Sequence, residues 1–345
     1  MDIAKAHDLW QPLPGWLNTA SYGLPPRPAW DDLMAALTDW RAGRTSWEGW
    51  NGSTNRSREA FARLVGVDAR DVAVGSQVSA LLAPVAAALP DGTRVLVPDV
   101  EFNSLVFPFV THADRGVEVV SVPIAGYVDA IRPGIDVVAF SLVQSATGDV
   151  ADYPAIVAAA RSNGALVLVD ATQACGWLPF DASLADGVFV GGYKWLMSPR
   201  GTALAYLAPM LRDRLRPIAA GWYAGEDPYS SYYGLPMVLA GDARRFDVSP
   251  AWFSWVAMAP TLELIGHIGV EAIREHNVAL ANRFLVGLGR PPGDSAIVTV
   301  DVPDAQPRLE AAGVRAAVRA GRVRASFHIY STEGDVDLAL DALTA

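Results

Sequence analysis

The chain has 345 residues, 51% of them hydrophobic, which excludes a disordered polymer and suits a large core shared between a larger and a smaller domain. Acidic residues outnumber basic ones, 37 to 27, giving a formal charge of −10, and no Lys/Arg cluster marks a nucleic-acid surface. One cysteine excludes an intrachain disulfide framework; the opening MDIAKAHDLW lacks a signal pattern and no apolar run approaches ~18 residues, so a cytoplasmic protein with no membrane span and no bound metal is expected.

Residues 11–28, QPLPGWLNTASYGLPPRP, are rich in Pro and Gly and read as an extended arm. Residues 29–65 read as helix with an interruption. Trp30, Leu33, Met34, Leu37 and Trp40 recur at helical spacing and are expected in the core. The aromatic and polar insert 45–51 either rims a pocket or packs as a loop, and 57–64 resumes the helix. A strand over 72–74 runs into Gly75-Ser76-Gln77 and an Ala/Leu-rich helix to 89. Strand, small turn and helix N-terminus together make an anion site from backbone N–H groups. The strand 94–98, RVLVP, leads through Asp99-Val100-Glu101-Phe102-Asn103-Ser104 into another helix. Strands at 117–123 and 136–143 follow, the second ending in Gln144-Ser145-Ala146-Thr147-Gly148. The next helix, 152–162, stops at Asn163-Gly164. This alternation of strand and helix argues for a mostly parallel sheet wound with helices.

The apolar run 165–169 ends in Asp170, and the run 187–190 ends at Gly191-Gly192-Tyr193-Lys194. Two buried-type strands thus each deliver a charge at the sheet edge where ligands sit in open α/β folds. Neither charge tolerates burial without a partner. A pyridine cofactor satisfies both, because an aspartate holds the ring nitrogen protonated and a lysine condenses with the aldehyde. Singly, an Asp after a strand is a common helix cap and a Lys after Gly-Gly a solvated loop. The pair, 24 residues apart with Gln173 between them, points to chemistry. The strand 201–207 follows too closely for a helical crossover and is expected to be antiparallel.

The segment 218–258 carries Trp222, Tyr223, Tyr229, Tyr232, Tyr233, Trp252 and Trp255, mostly outside any period. Such aromatics suit a flat or quaternary-ammonium ligand, with Trp222 and Tyr223 as substrate contacts, or else a subunit interface. Pro250 opens a long helix, 251–275. Strands at 297–302 and 323–329 flank a helix at 306–312. The expected division is an arm over 1–25, a large domain over 26–255 and a small α+β domain over 256–345.

Asp170-x-x-Gln173 followed by Gly191-Gly192-Tyr193-Lys194 resembles the site of class V aminotransferases and cysteine desulfurases, whose second motif reads Ser-Gly-His-Lys. The resemblance implies pyridoxal 5'-phosphate and the type I fold of its enzymes, an α/β architecture with a seven-stranded, mostly parallel sheet and a smaller C-terminal domain. It implies Lys194 and Asp170 as catalytic residues. It places Gly75, Ser76 and Gln77 at the cofactor phosphate, Gln144 near the phenolic oxygen, and Tyr193 where the family has histidine. Phe102 takes the place of a ring-stacking histidine; stacking requires only a flat π face. Ser249-Pro250 matches a step whose hydroxyl reaches the partner subunit's cofactor, which implies a homodimer. Asn18, Ala20, Gly23 and Pro26 match an arm over the active site, with Asn18 and Tyr22 toward an amino-acid substrate. Arg324, with Ser326 and Tyr330-Ser331-Thr332 after it, matches the arginine that grips the α-carboxylate, a task its planar fork suits.

Desulfurases of this kind need a cysteine shortly before that arginine. Residues 286–323 contain none, and Cys175 lies just past Gln173, so persulfide chemistry is not expected. The strings at 221–234 and 244–252 resemble the C–S lyases of the ergothioneine pathway, implying cleavage of hercynylcysteine sulfoxide with release of pyruvate and ammonia. An aminotransferase, an isopenicillin-N-epimerase-like or a kynureninase-like enzyme is the alternative.

Overall fold

The computed structural model describes residues 1–319 and 321–344. Seven strands form the main sheet: β1 Val72–Gly75, β2 Arg94–Pro98, β3 Glu118–Val122, β4 Val137–Ser141, β5 Leu166–Asp170, β6 Gly187–Gly191 and β7 Ala203–Leu207. Their spatial order is β1-β7-β6-β5-β4-β2-β3. The pairs among β2 to β6 are parallel, whereas β7 runs antiparallel to both its neighbours. The short return from β6 to β7 thus reverses the chain, as its length requires.

Apart from the edge strand β3, whose residues are exposed or half-buried, the strands read as apolar runs because both faces of the sheet are covered. On one face Val72, Val138, Val167, Val169 and Val188 meet Phe61 and Met258 from the helices Trp47–Val65 and Trp252–Ile268. On the other, Ala73, Val95, Leu168 and Phe189 meet Leu82 and Phe109 from the helices Val78–Ala88 and Asn103–Val110. Successive residues of one strand serve opposite faces, as the period of two demands. A buried ion pair pins the edge strand: Arg58 Nη2 lies 2.5 Å from Asp247 Oδ2, and Val74 N–H donates to Asp247 Oδ1 at 2.8 Å.

A second, antiparallel sheet has the order β8-β10-β9, from β8 Ile297–Val300, β9 Ala317–Arg319 and β10 Arg322–Ser326. Val298, Val323 and Phe327 pack with Phe284 and Val336. The N-terminal arm is laced to this sheet: Leu17 N–H donates to Arg315 O and Ser326 N–H donates to Leu17 O, both at 2.9 Å.

Three expectations need correction. Trp30, Met34 and Trp40 are exposed, because the helix Arg27–Arg41 buries only Ala29 and Ala36. The insert at 45–51 is mostly helical: Trp47 opens the helix Trp47–Val65. The long connecting helix breaks at Gly269, whose φ of +94° favours glycine, and the segments Trp252–Ile268 and Val270–Gly287 meet at 85°. Among the described residues, no single helix is long and apolar enough to cross a membrane.

Candidate active site

β5 and β6 are parallel neighbours, with Asp170 opposite Phe189, so Asp170 and the loop after Gly191 emerge at one sheet edge. That loop is tightly packed. A Cβ on Gly192 would meet Thr202 Oγ1 at 2.4 Å, and Gly191 N–H donates to Thr172 Oγ1 at 2.9 Å. The arm crosses the same loop: Gly23 N–H donates to Tyr193 O at 3.0 Å, and a Cβ on Gly23 would stand 1.9 Å from Lys194 O. Only glycine lets the arm pass so close.

The loop, β5 and the turn after β1 enclose a cavity of about 300 Å³ lined by Ser76, Gln77, Phe102, Asp170, Gln173 and Lys194, among others. Lys194 is 7% exposed. Burial pushes its ammonium down to about 8; Asp170 opposes this, and Arg324, Arg200 and Arg319 reinforce it. Its Nζ stands 5.3 Å from the centre of the Phe102 ring. Asp170 is buried, and burial raises its pKa against the hydrogen bonds from Thr172 and the charge of Lys194. Thr172 N–H donates to its Oδ1 at 2.8 Å without supplying a balancing charge.

Arg324, on β10, is 1% exposed. Its Nη1 donates to the Ser145 carbonyl and to Ser145 Oγ, and its Nη2 donates to Ser21 Oγ at 2.8 Å. Its Nε has no partner, and burial lowers its pKa to about 10. A guanidinium that is buried and, among the described residues, held only by neutral oxygens is costly by itself and has the chemistry to pair with an anion.

Gln173 is a junction. Its Nε2 donates to Ala20 O at 3.0 Å and Ser145 Oγ at 2.9 Å, and its Oε1 accepts from Trp195 Nε1 at 2.8 Å. Trp195, next to Lys194, is held from the second sheet's side by His328, whose Nε2 lies 3.0 Å from Trp195 O. Burial pushes His328 down to about 3, so it is neutral and donates from Nε2.

Several other candidates stand elsewhere. Gln144 turns from the cavity: its Nε2 donates to Glu101 at 3.1 Å, and its Oε1 has no partner. Gly75 packs against Leu81 and leaves Ser76 and Gln77 to line the cavity. Asn18 bridges to Ser326, and the Tyr22 ring stands 5.7 Å from the Tyr193 ring, so both keep the arm beside the site. Trp222 and Tyr223 do not reach the cavity of their own chain. They pack edge to face 5.4 Å apart, with Trp222 on Trp47 at 5.0 Å and Tyr223 on Trp252 at 5.6 Å. Ser249 is likewise not among the lining residues of that cavity. Ser21, Ser145, Thr172 and Arg200 are the residues the sequence did not single out. Isolated hydroxyls carry no periodic signal, and their roles follow from which strands meet.

The site suits a phosphorylated pyridine aldehyde. Lys194 offers a partly neutral amine, Asp170 a buried carboxylate lacking a fixed cation, and Ser76 and Gln77 lead into the uncapped N-terminus of the helix Val78–Ala88. Residues 51–307 match the family described as aminotransferase class-V. The chain belongs to this family. An uncharacterized aminotransferase of Bacillus subtilis (strain 168), YcbU, is 29% identical over 323 residues, 87% of this chain and 86% of that protein. The isopenicillin N epimerase of Streptomyces clavuligerus is 27% identical over 339 residues, 84% of this chain and 83% of that protein. Among solved structures, the cystine C-S lyase C-DES superposes with a TM-score of 0.85 at 21% identity, covering 96% of this chain and 97% of that one. The fold is that of the type I pyridoxal-phosphate enzymes, and pyridoxal phosphate is the cofactor. In this class-V member, Lys194, Asp170, Ser76, Gln77 and Phe102 are the residues that would hold it.

Proposed function

We propose that this class-V enzyme is a C–S β-lyase acting on a cysteine-sulfoxide conjugate, with hercynylcysteine sulfoxide as the substrate. The observation that carries the reading is Arg324: a buried guanidinium with no acid partner, joined through Ser145 to the residue that steadies the Lys194 loop. Such a group fits the α-carboxylate of an amino acid. Bound pyridoxal phosphate supplies an electron sink for the carbon next to that carboxylate. Asp170 keeps a proton on the ring nitrogen, where its own burial favours sharing one. Lys194 Nζ, with a pKa near 8, takes the proton from Cα. Cleavage of the Cβ–S bond releases the betaine as its sulfenic acid; the three-carbon enamine left behind takes up water to give pyruvate and ammonia, and two equivalents of added thiol reduce the sulfenic acid to ergothioneine, leaving a disulfide and water. The absence of cysteine from 286–323 favours this course over persulfide formation.

Purified protein loaded with pyridoxal phosphate and given the sulfoxide with excess thiol is expected to release pyruvate equal to substrate consumed. No pyruvate, or stoichiometric amino transfer to a keto acid, would overturn the lyase reading. The second outcome would favour the aminotransferase alternative, which the relationship to YcbU supports.

The proposal includes a homodimer. Trp30, Phe102, Phe107, Tyr233 and Leu235 expose large apolar side chains, with Tyr233 96% accessible in the single chain. Ser249 and the aromatic segment, away from their own cavity, are then available to the partner's. Sedimentation is expected to show a dimer. A fully active monomer would refute that part.

A further inference from the structure

The cavity holds few charges for the ligand it is read to accept. Its lining includes one acid, Asp170, and two cations, Lys194 and Arg200. A phosphate monoester brings a charge between about −1.5 and −2 at pH 7. Lys194 is committed to the aldehyde, and Arg324 is not among the residues that line this cavity. The partial charge of a helix N-terminus offsets only part of the remainder.

Arg200 is placed to supply the rest. Its guanidinium carbon lies over the Tyr193 ring, 4.3 Å from the centre, in cation–π contact. That contact anchors the guanidinium, whose five N–H donors exceed what one tyrosine can engage and can serve an oxyanion as well. The backbone is fixed as well: Ser254 Oγ donates to Arg200 O at 2.8 Å, and Gly201, at φ +96°, turns the chain there. Ser76, Gln77 and Gly201 line the same cavity as Arg200. We propose that Arg200, lying over the Tyr193 ring, is the cation that binds the cofactor phosphate in this chain. Tyr193, which stands where the family motif has histidine, is then a platform for the guanidinium. The assignment rests on the reading of the cavity as a pyridoxal-phosphate site.

The test compares two aldehydes that differ only in the phosphate. Apo-protein, R200Q and R200K are titrated with pyridoxal phosphate and with pyridoxal, following protein fluorescence. Binding of pyridoxal phosphate is expected to weaken roughly 10- to 100-fold in R200Q, the range for losing a charge-assisted hydrogen bond, and less in R200K. Pyridoxal binding is expected to be unchanged, and inorganic phosphate to compete better against the parent than against R200Q. If R200Q binds pyridoxal phosphate like the parent, or loses both aldehydes equally, the assignment is overturned. A parent protein that captures neither aldehyde would overturn the reading of the cavity together with it.

Discussion

Lys194→Ala is expected to lower kcat by about 10⁴-fold or more, because in the proposed mechanism one amine both anchors the cofactor and moves the Cα proton. The variant should also lose the absorbance band near roughly 410–430 nm that a lysine-linked cofactor gives. Retained turnover at a tenth of the parent rate would remove Lys194 from the chemistry. The pH dependence has a definite sign. With a pKa near 8 in place of 10.5, the amine is neutral in about one molecule in ten at pH 7 instead of fewer than one in a thousand. Capture of pyridoxal phosphate by the apo-protein should therefore rise with pH through about 8 and level off above it. The folded state binds this proton more weakly than the unfolded chain does. The resulting destabilisation is fully present below pH 8 and fades as pH rises from 8 toward 10.5. Lys194→Met, which keeps the volume and removes the charge, should thus stabilise the apo-fold by about 2–3 kcal/mol at pH 7. A urea midpoint that falls instead would contradict the burial of a strained ammonium.

Arg324→Met is expected to raise KM for the amino-acid substrate roughly 30- to 5,000-fold, the range for removing one member of a buried charge pair. Arg324 keeps its proton at pH 7, since burial lowers its pKa only to about 10. The loss should therefore be independent of pH across the neutral range. A substrate whose α-carboxylate is replaced by an amide separates recognition from structure: parent and variant should bind it equally well. An unchanged KM for the carboxylate would show that Arg324 does not hold it.

Much of this site was legible before the fold was known. Asp170 and Lys194 each end an apolar run, and a run covered on both faces can deliver its polar terminus only at the sheet edge. The reversed strand β7 was legible for the same kind of reason: too few residues separate it from β6 for a crossover. The exposure of Trp30 and Trp40 was not, because helical spacing gives the apolar face without saying what covers it. The break at Gly269 was missed because the apolar pattern continues across the glycine. Ser21 and Ser145 were invisible because their shared partner, Arg324, lies 303 and 179 positions away. Trp222 and Tyr223 have the composition of a ligand cage, and within the single chain their rings pack on Trp47 and Trp252.

Ser145 Oγ receives hydrogen bonds from both Arg324 and Gln173, and Gln173 in turn receives one from Trp195, the neighbour of Lys194. In the proposed mechanism the group that holds the substrate and the amine that moves its proton therefore share one hydrogen-bonded junction. A change at Arg324 would then disturb the aim of the amine as well, and the α-carboxylate it would hold is common to every amino acid. New specificities would have to arise at the far end of the substrate instead.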